Sequence, residues 1–417
     1  MVSAFAIALC LSAQPEASPS EAPPVETPPP VAETPKTTVS RTRKWAQSGP
    51  WVPNAWPTRQ ICALDPDRAP LCVAVRTDVF TGFRAGKIGG RSANEFRLDR
   101  AELGGGLLWK PTTRLETGGV IALEAIRSAG PQSVTGIDGD SLVVRLLEAY
   151  GHAALHVGPI DIGARAGLVP ERWIEQLEKG YDTRGFDALP SDRTRMLDRS
   201  DLGATLTVSG WNNLVDVDLE IVNGEGRAQR ELNTGKNFTA IATVRPLRRE
   251  HRNGPIVLAV QGGFRDGSLG IARIADRRAM AGITFASPWV YAGFEYVHAL
   301  GFAGRGDLRA STLGGWVSGR ILPRWLGVMA KYDRTSQDLS LREAVVHTIG
   351  ASVFSDVFEH IDRNRRRVRV YAGYQFEGYG RAASPLPGVA AASDAHRFIL
   401  QLELRGLARF ASKESPP

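Results

Sequence analysis

Residues 214–226 read LVDVDLEIVNGEG, and they set Asp216, Asp218 and Glu220 at alternate positions among Val215, Val217, Leu219 and Ile221. In a strand, successive side chains point to opposite faces. The three carboxylates therefore share one face and the four aliphatic groups the other. Three acids on one face could ligate a hard cation or could face water. Alternate residues of a strand stand about 7 Å apart, too far for one ion to gather all three. A metal site is not expected, and the acids are read as facing a water-filled lumen. Arg165 and Arg265 are candidates for a basic wall opposite them.

Other chemistry finds little support. The seven histidines are His152, His156, His251, His298, His347, His360 and His396, and none lies in a catalytic motif. There is no G-x-S-x-G, no phosphate-binding Walker pattern and no H-E-x-x-H. The chain is read as a non-enzyme without a cofactor. Cys62 and Cys72, in CALDPDRAPLC, could close a small disulfide loop or remain a pair of thiols, and their spacing fits no common zinc site. Net charge is +7, but acids interleave with the basic residues and no arginine-rich arm stands out, which argues against nucleic acid.

The elements that would position these side chains are strands. From about residue 71 to 410 the chain repeats one theme, in which a run of ten to sixteen residues alternates in polarity and turn chemistry follows. Sixteen such runs are expected, the first two near 71–85 and 95–110. Only ERWIEQLEKG, Glu171 to Gly180, looks helical. Connections alternate in length. Even-numbered runs end in tight turns such as KPTT, VGPID and LPR, while odd-numbered runs end in long Gly-rich loops, the longest at about 170–198. Membrane barrels have this asymmetry, with short periplasmic turns and long outer loops. A soluble sandwich gives no reason for it. Runs of this length also exceed the 5–6 residues usual in soluble strands.

Charge facing the middle of a bilayer costs several kcal/mol, so the polar face of each strand must be the lumen. By parity, Arg76, Arg97, Arg145, Arg165, Arg265, Lys331, Arg369 and Arg405 face it, against Asp216, Asp218, Glu220 and other acids including Asp78, Asp99 and Glu403. The 170–198 loop carries Arg172, Lys179, Arg184, Arg193 and Arg195. Trp109, Trp289 and Trp325 sit at strand ends beside the short turns, where an aromatic girdle would lie.

Ahead of the strands, Val2 to Leu11 is an apolar run of signal-peptide length, with cleavage expected after Ser12 or Ala13. The expected organisation is a signal peptide at 1–13, a Pro-rich disordered linker at 14–45, a periplasmic segment at 46–70, an antiparallel up-and-down barrel at 71–410 and a tail at 411–417.

EFRLDRAELGGG (95–106), IGARAGLVPERW (162–173), RSDLGATLTVSG (199–210) and DVDLEIVNGEG (216–226), in that order, resemble the phosphate-selective porin O and P family and its porin relatives. The matching positions are Arg97 and Arg100, Gly167 to Pro170, Asp201 to Gly203, and Asn223 to Gly226. The resemblance covers mainly residues 95–226. It implies a sixteen-stranded homotrimeric barrel whose third outer loop folds inward as a constriction. The 170–198 loop stands in that place, although it mixes arginines with acids where phosphate-binding members are rich in tyrosine and lysine.

The chain thus reads as an outer-membrane porin, in contact with outer-membrane lipid and lipopolysaccharide. It would pass small hydrophilic solutes, with anions or phosphate favoured. A plugged barrel acting as an adhesin or scaffold, or a secreted all-β carbohydrate-active protein, are the alternatives.

Overall fold

In the computed structural model the alternating runs close into a ring. The structure describes residues 71–411 except positions 110, 113, 129–140, 212, 225–234, 250, 252–253, 271–272, 323–324, 360–365 and 387–391. The signal peptide, the linker and the periplasmic segment expected at 1–13, 14–45 and 46–70 lie outside the described residues, as does the tail from 412. Cys72 is disulfide-bonded, and Cys10 and Cys62 lie outside the described residues.

The strands are β1 (Leu71–Ile88), β2 (Arg91–Trp109), β3 (Leu115–Ser128), β4 (Ser141–Val157), β5 (Ile160–Pro170), β6 (Ser200–Gly210), β7 (Val215–Val222), β8 (Asn237–Arg249) and β9 (Ile256–Asp266). They continue as β10 (Ser268–Leu269), β11 (Ile274–Ala275), β12 (Arg277–Ala286), β13 (Val290–Leu300), β14 (Arg309–Leu322), β15 (Leu326–Ser336), β16 (Val345–Glu359), β17 (Arg366–Tyr379) and β18 (Ala395–Ala411). Sixteen of them form one closed antiparallel barrel in sequence order, sealed by β1 against β18. β10 and β11 make a separate two-stranded ribbon in the loop between β9 and β12.

β1 and β2 run past the ends expected from sequence and meet at Gly89 and Gly90, both at positive φ. That is the backbone of a two-residue hairpin turn matched to strand twist, and glycine adopts it without a steric penalty. The first outer connection is therefore tight, unlike the other outer connections.

The barrel is inside-out relative to a soluble protein. On β7, Asp218 is 0% exposed and Glu220 1%, whereas Val217 is 40% and Ile221 55% exposed. Phe264, Phe294, Val317, Ile349, Val353 and Leu400 continue this apolar outer wall on other strands. Water does not favour such a surface, and lipid hydrocarbon does. Trp109, Trp211, Trp289 and Trp325 are exposed at the short-turn end, forming a girdle to which Trp211 is an addition unseen in the sequence.

Candidate functional site

Segment 171–199 leaves β5 and folds into the bore. Gly167, at φ +127°, opens the departure, and a Cβ there would lie 2.3 Å from the Ala149 carbonyl oxygen. A short helix, Arg172–Leu177, follows, then a 3-10 turn, Glu178–Gly180, and a second helical turn, Pro190–Arg193. Trp173, Ile174 and Leu177 fall on one face of the first helix, as i, i+1 and i+4 positions must. With Tyr181, Leu189, Met196 and Leu197 they pack against the inward side chains Ile241, Met280, Val297 and Trp316. Trp316 Nε1 donates to the Gly180 carbonyl at 2.8 Å. Farther along, Phe186 reaches the inner wall at Met329, Phe354, Tyr371 and Ile399. Burying a side chain of this size contributes about 1.5–3 kcal/mol, so the segment is held as a core.

Ion pairs complete the docking. Asp216 meets Arg245 at 2.6 Å and Asp218 meets Arg172 at 2.8 Å, while Glu220 accepts the Arg172 backbone N–H at 3.1 Å. The sequence suggested Arg165 and Arg265 for this wall. Instead Arg165 pairs with Glu175 and Arg265 with Glu171, because the loop brings its own acids across the bore. Lys331 binds Asp187 at 3.0 Å, and Arg369 binds Asp182 at 3.0 Å and also Asp356. Arg405 and Arg76 both engage Asp78. Within the loop, Arg184 pairs with Glu102 and Arg193 with Asp333 at 3.0 Å. Arg195 is half-buried at φ 54°.

Titration of the loop groups follows from this packing. Burial raises the Asp182 carboxyl, but Arg369, Arg367 and Arg320 overcome it and hold the group well below the usual carboxylate range. Glu175 is likewise held low against burial by Arg165 and Arg172. Lys179 is pulled down to about 7, first by burial and then by Arg245 and Arg172, beyond what Asp216 and Glu175 restore.

The bore is not filled evenly. Side chains on the β7–β18 wall are sealed by the loop: Arg245 is 2% exposed, Lys331 1%, Arg369 0% and Arg405 2%. On β2–β5, Arg97 keeps 29%, Arg100 21%, Arg145 13% and Arg165 25%. A small cleft with about 20 Å³ of room for water lies here, with Glu102, Leu147, Glu148 and Tyr150 on the wall and Glu171, Ile174, Glu175, Glu178, Arg184 and Arg199 on the loop. The Arg165 guanidinium sits 5.4 Å from the Tyr150 ring centroid. At two of its ion pairs the arginine is the outer partner: Glu124 behind Arg145 is 0% exposed and Glu102 behind Arg100 is 2%, whereas Glu95 beside Arg97 is itself 40% exposed.

The eight cations singled out by parity, with Asp216, Asp218 and Glu220, all turn their side chains to the interior, but they do not share one environment. Arg97, Arg145 and Arg165 border the open strip, and the other eight are sealed against the loop or beside it. Arg100, Glu148, Tyr150 and Arg199 were missed. Arg100 faces inward together with Arg97, although two residues separate them, because β2 carries an extra residue, Asp99, where Phe80 and Thr81 of β1 pair with Arg100 and Leu98. Two residues of the family-like motifs meet at the rim, where Asp201 Oδ2 accepts the Gly224 N–H at 2.7 Å. A Cβ on Gly203 would lie 2.1 Å from the Ile221 carbonyl oxygen.

No family model and no curated protein matches the chain. Among solved structures, it is similar to OmpF of Salmonella typhi, captured in complex with daunomycin, at TM-score 0.55 and 12% identity, with 79% of this chain and 97% of that one covered. An anion-selective porin from Comamonas acidovorans gives TM-score 0.55 and 11% identity over 81% of this chain and 100% of that one. OmpT of Vibrio cholerae, in a trimer form, gives 0.51 and 10% over 80% and 99%. Likeness at this identity concerns the fold: the chain is a sixteen-stranded barrel of the outer-membrane porin type.

Proposed function

We propose that this chain is an outer-membrane channel for passive diffusion of small hydrophilic solutes, narrow and anion-preferring. The observation that carries the proposal is the strip along β2–β5, where Arg97, Arg100, Arg145 and Arg165 stay accessible while segment 171–199 seals the opposite wall. A solute passing there meets the guanidinium edges of Arg100 and Arg145 with Glu102 and Glu124 buried behind them. Selectivity follows the sign of charge at the narrowest point. Guanidinium forks also match phosphate oxygens in pairs, which makes phosphate a fitting anion. The apolar outer wall supports membrane residence. The outer face of β2–β6 sets small residues at Gly105, Gly119, Gly151, Ala164, Ala166 and Ala204 among exposed aliphatics such as Leu107, Ile121 and Leu206, an apolar surface suited to a homotrimer.

One observation favours a second reading. The apolar core between loop and wall would suit a permanently plugged barrel that serves as a scaffold. Planar-bilayer recording across a salt gradient separates the two. Stepwise conductance with a reversal potential on the anion side is expected, with phosphate carrying current. A correctly inserted barrel that passes none is a plug.

A further inference from the structure

The outer wall changes character near its long-loop end. On β15 and β16, Tyr332, Arg334 and His347 project outward, with Arg334 and His347 directly opposite each other in the ladder. The Tyr332 hydroxyl lies 3.0 Å from His347 Nδ1, and the two rings stack at 27° with centroids 6.1 Å apart. Arg334 is exposed and forms no ion pair among the described residues. Toward the membrane centre the same faces carry the exposed aliphatics Ile349, Val353 and Val328.

The pattern recurs across β17, β18 and β1. The Tyr374 hydroxyl meets His396 Nδ1 at 2.5 Å, and Lys87, exposed and without an ion pair among the described residues, stands opposite His396. Cations elsewhere on this chain usually have a carboxylate at hand. Even at the same end of the outer face, Arg277 is paired with Asp266 at 2.7 Å. These two clusters leave their positive charge open at the height where apolar wall gives way to headgroups.

We propose that Tyr332, Arg334 and His347 bind the phosphate group of a phosphorylated glycolipid in the outer leaflet, and that Tyr374, His396 and Lys87 form a second site of the same kind. With the tyrosine hydroxyl donating to Nδ1, the imidazole N–H sits on Nε2 and faces outward. The adjacent guanidinium offers two parallel donors to phosphate oxygens. The acyl chains lie along the aliphatic wall below, and the tyrosine ring sits at the polar boundary that such rings favour. This rests on the membrane reading above, not on conductance.

The test uses the full chain, refolded in detergent and checked for folding by heat-modifiable migration. Native mass spectrometry then reads retention of lipid A bearing both phosphates, lipid A with the phosphates removed, and inorganic pyrophosphate as competitor. Wild type should retain the phosphorylated lipid, lose at least tenfold in retention when the phosphates are absent, and resist displacement by pyrophosphate. Arg334→Ala/His347→Ala, and the milder Arg334→Gln, should lower retention several-fold while still folding. Equal retention by folded variants, or by phosphate-free lipid, overturns the proposal. Displacement by pyrophosphate overturns the lipid as occupant. A chain that will not insert into vesicles overturns the membrane reading as well.

Discussion

Arg145 leans on a carboxylate that water does not reach. Its partner Glu124 is fully buried while the guanidinium keeps an exposed edge, so a passing ion feels the arginine first. Reversing that one charge should move the bilayer reversal potential toward cations, whereas Lys331→Glu, behind the loop, should move it far less. Equal shifts would mean that the open strip is not where ions pass. Gly167 makes a different kind of residue-scale claim. At φ +127°, with the Ala149 carbonyl where a Cβ would go, Gly167→Val should cost about 1–3 kcal/mol, measurable as a lowered urea midpoint. Inward or outward facing was legible from alternation alone for Asp216, Asp218 and Arg165. It was not legible for Arg100, because an extra residue on its own strand, Asp99, shifts parity, and a bulge is defined only by the pairing with β1.

The inward loop was visible in the sequence as the longest connection, and ERWIEQLEKG as its helix. Its destination was not visible. Glu175 turns back to the adjacent β5, but Glu171, Asp182 and Asp187 find their partners on β9, β17 and β15, up to nearly two hundred residues away and brought near only by closure of the ring. Replacing 171–199 with a short Gly/Ser linker should leave the barrel ladder intact and raise single-channel conductance several-fold, since the filled part of the bore would then carry water. Conductance unchanged by excision would show that the loop does not limit the path. The loop also has a pH signature. Lys179 sits at about 7 in the folded chain against an ordinary value of 10.5. Between those values the unfolded chain holds more protons, so stability rises as pH rises through that window, and below about pH 7 the penalty is complete. Wild type should therefore gain in thermal midpoint from pH 7 to pH 10, and Lys179→Met should lose most of that gain. The depressed Asp182 and Glu175 also make stability rise with pH, but as a gain and in a lower window. Their contribution is present above the ordinary carboxylate range and fades only in strong acid, so it stays constant across the lysine window.

A barrel has no edge only while its first and last strands stay zipped. β18 pairs with β1 from Cys72↔Ala411 to Ile88↔Ala395, but its partners on β17 begin at Arg366↔Gly406. Among the described residues, 407–411 pair with β1, and they close the ring at the short-turn end. In hydrocarbon an unpaired backbone group costs several kcal/mol, and deleting this piece exposes the ladder groups of β1 from Cys72 to Arg76. Ending the chain after Gly406 should abolish refolding into lipid vesicles, read as loss of heat-modifiable migration and of protease resistance. Ending it after Ala411 should not, because no ladder pair of the described residues lies beyond that residue. Refolding from urea without any assembly machinery matters here, since in cells a truncated end could fail through recognition of its terminal aromatic instead. A 406-residue chain that still refolds into vesicles would mean that β17 and the docked loop hold the barrel without full closure. The apolar core between 171–199 and the inner wall would then carry stability assigned here to the ladder, and its Trp173→Ala variant should be the one that fails.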